Sequence, residues 1–126
     1  MNIQQLDHLV LTVRSIQKSI DFYTRILGME SIEFGNGRQA LKFGQQKINL
    51  HPVSNTFKPH ANQPVPGSAD LCFICDTTIQ QIIRKLKEKS IPLECGPIER
   101  TGARGKILSI YIRDPDNNLI ELANYI

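Results

Sequence analysis

The chain has 126 residues, enough for one compact domain and too few for two large ones. Apolar residues make up 40% and charged residues 21%, the balance of an ordinary soluble domain that needs no disulfide staples. Fifteen basic against twelve acidic residues give a net charge of +3 with no run of lysine or arginine, so nucleic acid is not an expected partner.

No stretch approaches about 18 consecutive apolar residues, so no membrane-spanning helix is expected. The first eight residues have neither the charged start nor the long apolar stretch of a secretory leader, and the expected location is cytoplasmic. Cys72 and Cys75 have C-x-x-C spacing, which suits a metal site or a redox pair. They fall on one predicted strand, however, where positions three apart point to opposite faces. With Cys95 they read as plain buried or half-buried thiols.

In chain order, residues 6–13 read as a buried strand with Leu9, Leu11 and Val13 on one face and His8, Val10 and Thr12 on the other. Ser15 caps a helix whose apolar positions are Ile16, Ile20, Tyr23 and Leu27, and Gly28 ends it. Strands follow at 29–34, 39–43 and 47–51, separated by glycine turns. Residues 52–67 carry four prolines and read as a loop or linker. The pattern then restarts with a strand at 70–75. Thr78 caps a second helix, with Gln81 three residues on as in a capping box. A short strand is expected at 91–94, a loop at 95–106, and strands at 107–113 and 119–124 around the turn Asp114-Pro115-Asp116-Asn117-Asn118.

Both halves therefore read β-α-β-β-β, an internal duplication in element order. The expectation is an α+β fold of one domain, with modules at 1–56 and 68–126 and a linker at 57–67. Each module forms a curved four-stranded sheet with its helix on the outer face, and two such sheets side by side leave a concave cup for a ligand.

Four ligand-type residues lie on first or last strands: His8 and His51 in the first half, Asp70 and Glu121 in the second. Strand parity turns His8 and His51 away from the faces that pack under the helix. An ionised Glu121 inside an apolar strand is costly to bury without a partner, and a cation, an ion pair or a hydrogen-bond network each supply one. Two histidines and a carboxylate suit nickel, zinc, iron(II) or manganese. Taken singly, each has an ordinary structural reading: a satisfied histidine, a loop residue, a turn cap, a salt-bridge partner.

The opening Leu6-Asp7-His8-Leu9-Val10-Leu11-Thr12-Val13, with Ser19-Ile20-Asp21-Phe22-Tyr23 and Leu27-Gly28-Met29, resembles that of vicinal oxygen chelate proteins. This superfamily includes glyoxalase I, fosfomycin-resistance thiol transferases, bleomycin-resistance proteins and extradiol dioxygenases. The closing Arg113-Asp114-Pro115-Asp116-Asn117-Asn118-Leu119-Ile120-Glu121-Leu122 resembles its D-P-D-G-N-x-I-E-L ending. Residues 44–51, 67–72 and 102–105 resemble most closely a small glyoxalase-domain subgroup that includes a bacterial virulence protein.

The resemblance implies paired βαβββ modules, usually completed by a homodimer, and metal ligands at the positions of His8, His51 and Glu121. Asp70 stands where the family commonly has histidine or glutamate, so it is the weaker candidate. Asn117 replaces the usual glycine, which Asn tolerates in a left-handed turn. The activity implied first is glyoxalase-I-like lyase or isomerase chemistry. A divalent metal would hold a small vicinally oxygenated substrate, such as a hemithioacetal adduct of glutathione, through a metal-bound enediolate, with Glu121 as base. Arg104, Lys106 and Arg38 are the basic candidates for binding the substrate. Iron(II) extradiol-type oxygenation, antibiotic-modifying thiol transfer and metal-free drug binding of the bleomycin-resistance type are the competing readings.

Overall fold

A computed structural model describes all residues, 1–126. The chain forms two compact units, Met1–Gly67 and Ser68–Ile126. Each has the element order β-α-β-β-β, so the α+β reading and the duplication hold.

The first unit contains β1 (His8–Val13), α1 (Ile16–Arg25), β2 (Glu30–Phe34), β3 (Arg38–Phe43) and β4 (Gln46–Pro52). Its sheet runs β1-β4-β3-β2, with β1 and β4 parallel and the other pairs antiparallel. Ser15 caps α1 by accepting a hydrogen bond from the Lys18 amide. Period-two alternation puts Leu11, Val13, Leu41, Ile48 and Leu50 on one face of the sheet, and all are buried. The core residues of α1 against this face are Phe22 and Tyr23. The opposite face carries His8, Val10, Arg38, Lys47, Asn49 and His51.

The second unit contains β5 (Asp70–Ile74), α2 (Ile79–Glu88), β6 (Cys95–Thr101), β7 (Lys106–Arg113) and β8 (Leu119–Tyr125). Its sheet runs β5-β8-β7-β6. Thr78 caps α2 by accepting from the Gln81 amide, as the capping-box spacing predicts. Ile79, Ile82 and Leu86 on the helix and Ile110, Ile112, Ile120 and Leu122 on the sheet form the core. No helix in the chain is long and apolar enough to cross a membrane.

The turn before β8 is a hydrogen-bonded box. Asp114 Oδ1 accepts from the amides of Asp116 and Asn118, and Asn118 Nδ2 donates to Asp114 Oδ2. Asn118 Oδ1 in turn accepts from the Ala69 amide at 2.9 Å. The side chain thus ties the start of β8 to the residue ahead of β5, which sets Asp70 and Glu121 on adjacent strands. Asn117 sits at φ +65°, the left-handed conformation expected of it.

One element differs from expectation. Residues 91–94 form no strand, and β6 lies within the stretch read as a loop. Gly96 and Pro97 break a central strand but fit an edge strand at a bulge, and the register of β6 on β7 shifts between Cys95 and Ile98. Gly96 has φ +98°, and a Cβ there would stand 2.5 Å from the Ser109 carbonyl oxygen. The cysteines also differ: all three are free, but Cys72 and Cys95 are exposed and only Cys75 is half-buried. Cys72 lies on the face of β5 that no helix covers.

Candidate functional site

In the second unit, Cys72, Glu121, Tyr111 and Cys95 lie side by side across β5, β8, β7 and β6, all on the face away from α2. Glu121 is half-buried. The fully buried Ser109 donates its hydroxyl to Glu121 Oε2 at 2.5 Å. Arg100 Nε donates to the Tyr111 hydroxyl at 3.0 Å. Although Cys72 is exposed as a residue, partial desolvation of its thiol against the sheet pushes it up to about 11, and the neighbouring Glu121 carboxylate, which accepts from it, adds to the rise. Burial likewise raises Tyr111; Arg100 opposes the rise and Glu121 reinforces it. Glu121 is thus a carboxylate ringed by neutral donors, facing a cleft of about 430 Å³. Cys72, Arg100, Gly102, Tyr111 and Tyr125 line the cleft with it.

Asp70 shares this face, two residues from Glu121 in register, roughly 7 Å along the strand. Of the predicted substrate-binding residues here, Arg104 stacks its guanidinium over the Tyr125 ring at 4.3 Å, and its amide donates to the Tyr125 hydroxyl. It thereby braces the β6–β7 loop beside the cleft. Lys106 is exposed at the start of β7, and neither of these two residues lines the cleft.

In the first unit, Asp7 Oδ2 pairs with His8 Nδ1 at 2.8 Å. This carboxylate fixes the tautomer and leaves the Nε2 lone pair of a half-exposed imidazole free, the arrangement that orients a ligating histidine. His51 shares the face of His8, but the register pairs His8 with Lys47 and Thr12 with His51. Four residues of stagger, roughly 13 Å, separate the two histidines along the strands.

His51 is 3% exposed. Its Nε2 accepts from Arg38 Nη2 at 3.4 Å, and the Phe57 ring packs edge-on against it. Burial first, then Arg38 and His60, lower its pKa from 6.5, so the ring is held neutral. The register also corrects the equivalence of His51 with Glu121. Glu121 lies two residues beyond the partner of Asp70, and the residue two beyond the partner of His8 is Asn49. Asn49 is 6% exposed, and its Oδ1 is buried without a hydrogen-bond partner. Within neither unit do three His, Cys, Asp or Glu side chains converge on one point.

The sequence reading missed Asn49, Ser109, Tyr111 and Arg100. Parity along each strand marks their face, but only the cross-strand register marks their neighbours.

A family model described as the Glyoxalase/Bleomycin resistance protein/Dioxygenase superfamily matches residues 5–122. The chain belongs to this superfamily. It is 54% identical over 125 residues to the glyoxalase domain-containing protein RDO1 of Mycosarcoma maydis, covering 99% of this chain and 70% of that protein. It is 52% identical to virulence protein STM3117 of Salmonella typhimurium, covering 100% of this chain and 88% of the relative. The crystal structure of STM3117 matches over 100% of both chains with a TM-score of 0.99. A lactoylglutathione lyase from Agrobacterium tumefaciens, at 22% identity and a TM-score of 0.75 over 98% of this chain and 95% of that one, shares the fold.

Proposed function

We propose that this superfamily member is a metal-dependent enzyme of the glyoxalase I type, isomerising a hemithioacetal of a small vicinally oxygenated compound, with a glutathione adduct as the first candidate. The observation that supports it best is the Glu121 carboxylate, held by Ser109 and open to a cleft. The donor set suits a divalent cation: His8 has a free Nε2, Glu121 and Asp70 are carboxylates, and Asn49 Oδ1 is an orphaned buried oxygen. We assign His8 and Asn49 of the first unit, and Asp70 and Glu121 of the second, as the candidate cation ligands of each unit. His51 stands outside the set because its Nε2 is engaged by Arg38. Nickel, zinc, iron(II) and manganese all accept such donors. A homodimer in the cytoplasm belongs to the same reading.

When bound, the cation supplies Lewis acidity toward two vicinal oxygens. The rest is the work of the side chains. Glu121, oriented by the Ser109 hydroxyl on its Oε2, would take a proton from one carbon of the substrate and return it to the neighbouring carbon. Tyr111, oriented by Arg100, places a phenol beside the same carboxylate.

The test is turnover of methylglyoxal plus glutathione by protein loaded in turn with nickel, zinc, cobalt and manganese. Activity with at least one metal, reduced about 100-fold or more in Glu121→Gln, supports the assignment. No turnover with any of them rejects it.

A further inference from the structure

The open face of the first unit carries cations with nothing to neutralise them. The Arg38 guanidinium lies between two aromatic rings, 4.9 Å from the centre of Phe34 and 4.8 Å from that of Phe57. The Lys47 ammonium stands 3.8 Å from the centre of the same Phe34 ring. Neither cation has a carboxylate partner. Among the strand residues of this face the one acid is Glu30, which lies across from Lys42, a third cation. Two like charges gathered on one ring repel each other, and the rings hold them in place without discharging them.

The hydrogen-bond inventory points the same way. Because His51 Nε2 accepts from Arg38, the proton of the neutral ring is on Nδ1, and that N–H is buried with no acceptor. Arg38 Nε–H is a second buried donor with no acceptor. A buried donor left unmade costs about 1–3 kcal/mol. Two orphaned donors and two unpaired cations make this place rich in donors and poor in acceptors. Phe57 packs against both His51 and Arg38 and is itself 36% exposed, so one half-exposed ring separates them from solvent.

We propose that Arg38, Lys47 and His51 form a binding subsite for an oxyanion, the carboxylate or phosphate end of a small organic ligand. The guanidinium is pre-organised by its two rings, so little side-chain entropy is lost on pairing with an anion. Lys47 adds a second positive charge, and Arg38 Nε–H and His51 Nδ1–H, both without acceptors, are the further donors for the oxygens. The proposal concerns the first unit alone and does not depend on the lyase reading.

Nitrogen-15 NMR of the full chain tests it, following Arg38 Nε–H and the amides of Phe34, Arg38, Lys47 and His51. Inorganic phosphate and malonate are titrated separately, with chloride at matched ionic strength as the control. The proposal expects saturable shifts at these signals with Kd below about 10 mM. Arg38→Gln and Lys47→Gln should each weaken binding about fivefold or more, and Lys87→Gln on α2 should leave it unchanged. A response to phosphate alone identifies a phosphoryl ligand, and a response to malonate alone a carboxylate. If neither anion exceeds the chloride control, or if the Lys47→Gln protein binds as the parent does, the proposal is overturned. Lys47→Gln keeps the test decisive should Arg38→Gln not fold.

Discussion

Asn49 holds in the first sheet the place that Glu121 holds in the second. His8 pairs with Lys47 and Asp70 with Leu119; two residues farther along the fourth strand of each unit stand Asn49 and Glu121. The duplication therefore matches histidine with aspartate and amide with carboxylate. At these four positions the two units differ in charge and in proton chemistry, and only Glu121 combines a carboxylate with a buried hydroxyl donor.

The position of Glu121 depends on the turn that launches β8. Asn118 is 1% exposed and makes hydrogen bonds to Asp114 and to the Ala69 amide. Asn118→Ala leaves those buried partners unsatisfied and should cost about 2–4 kcal/mol. Urea unfolding followed by circular dichroism measures it; a loss under about 0.5 kcal/mol would show that the box does not hold the turn.

Cys72 should react slowly despite its exposure. A thiol with a pKa of about 11 is ionised in roughly one molecule in a thousand near pH 8. In metal-free protein, iodoacetamide should modify Cys72 far more slowly than an unstructured cysteine peptide. Glu121→Gln removes the adjacent negative charge and should speed the reaction several-fold, with partial desolvation of the thiol accounting for the remaining protection. Mass spectrometry of the labelled peptide gives both rates, and equal rates in parent and variant would contradict the coupling.

His51 predicts a pH dependence of stability. Its pKa is lowered in the folded chain from 6.5, so between the two values the unfolded chain binds more protons and stability rises with pH. The contribution is complete above about pH 6.5 and is lost as pH falls below it. The urea midpoint should therefore drop between about pH 7.5 and pH 5.5, and less steeply in His51→Gln. Identical slopes in parent and variant would exclude a buried neutral His51.

Much of this fold was legible. Both helix caps could be read because Ser15 and Thr78 each stand three residues before an amide they bind. The turn at Asn117 could be read because few other residues accept its conformation. Glu121 stood out as an acid within an apolar strand. Strand β6 was hidden because Gly96 and Pro97 signal a break, and only an edge position with a bulge makes them compatible with pairing. The site was half hidden for a different reason. Parity assigns a face, but register between strands is a tertiary property, and a shift of two residues moved the equivalence from Asn49 to His51. An imidazole also attracts a ligand reading more readily than an amide, although His51 serves here as the neutral partner of a guanidinium.

The central proposal is that His8 and Glu121 are each cation ligands and that His51 is not. Calorimetric titration of nickel or zinc into chelator-stripped, tag-free protein tests it directly. The account predicts saturable binding in the parent, a loss of about tenfold or more in His8→Ala and in Glu121→Gln, and near-parental affinity in His51→Ala. Absence of binding in the parent, or its abolition in a folded His51→Ala protein, would contradict it.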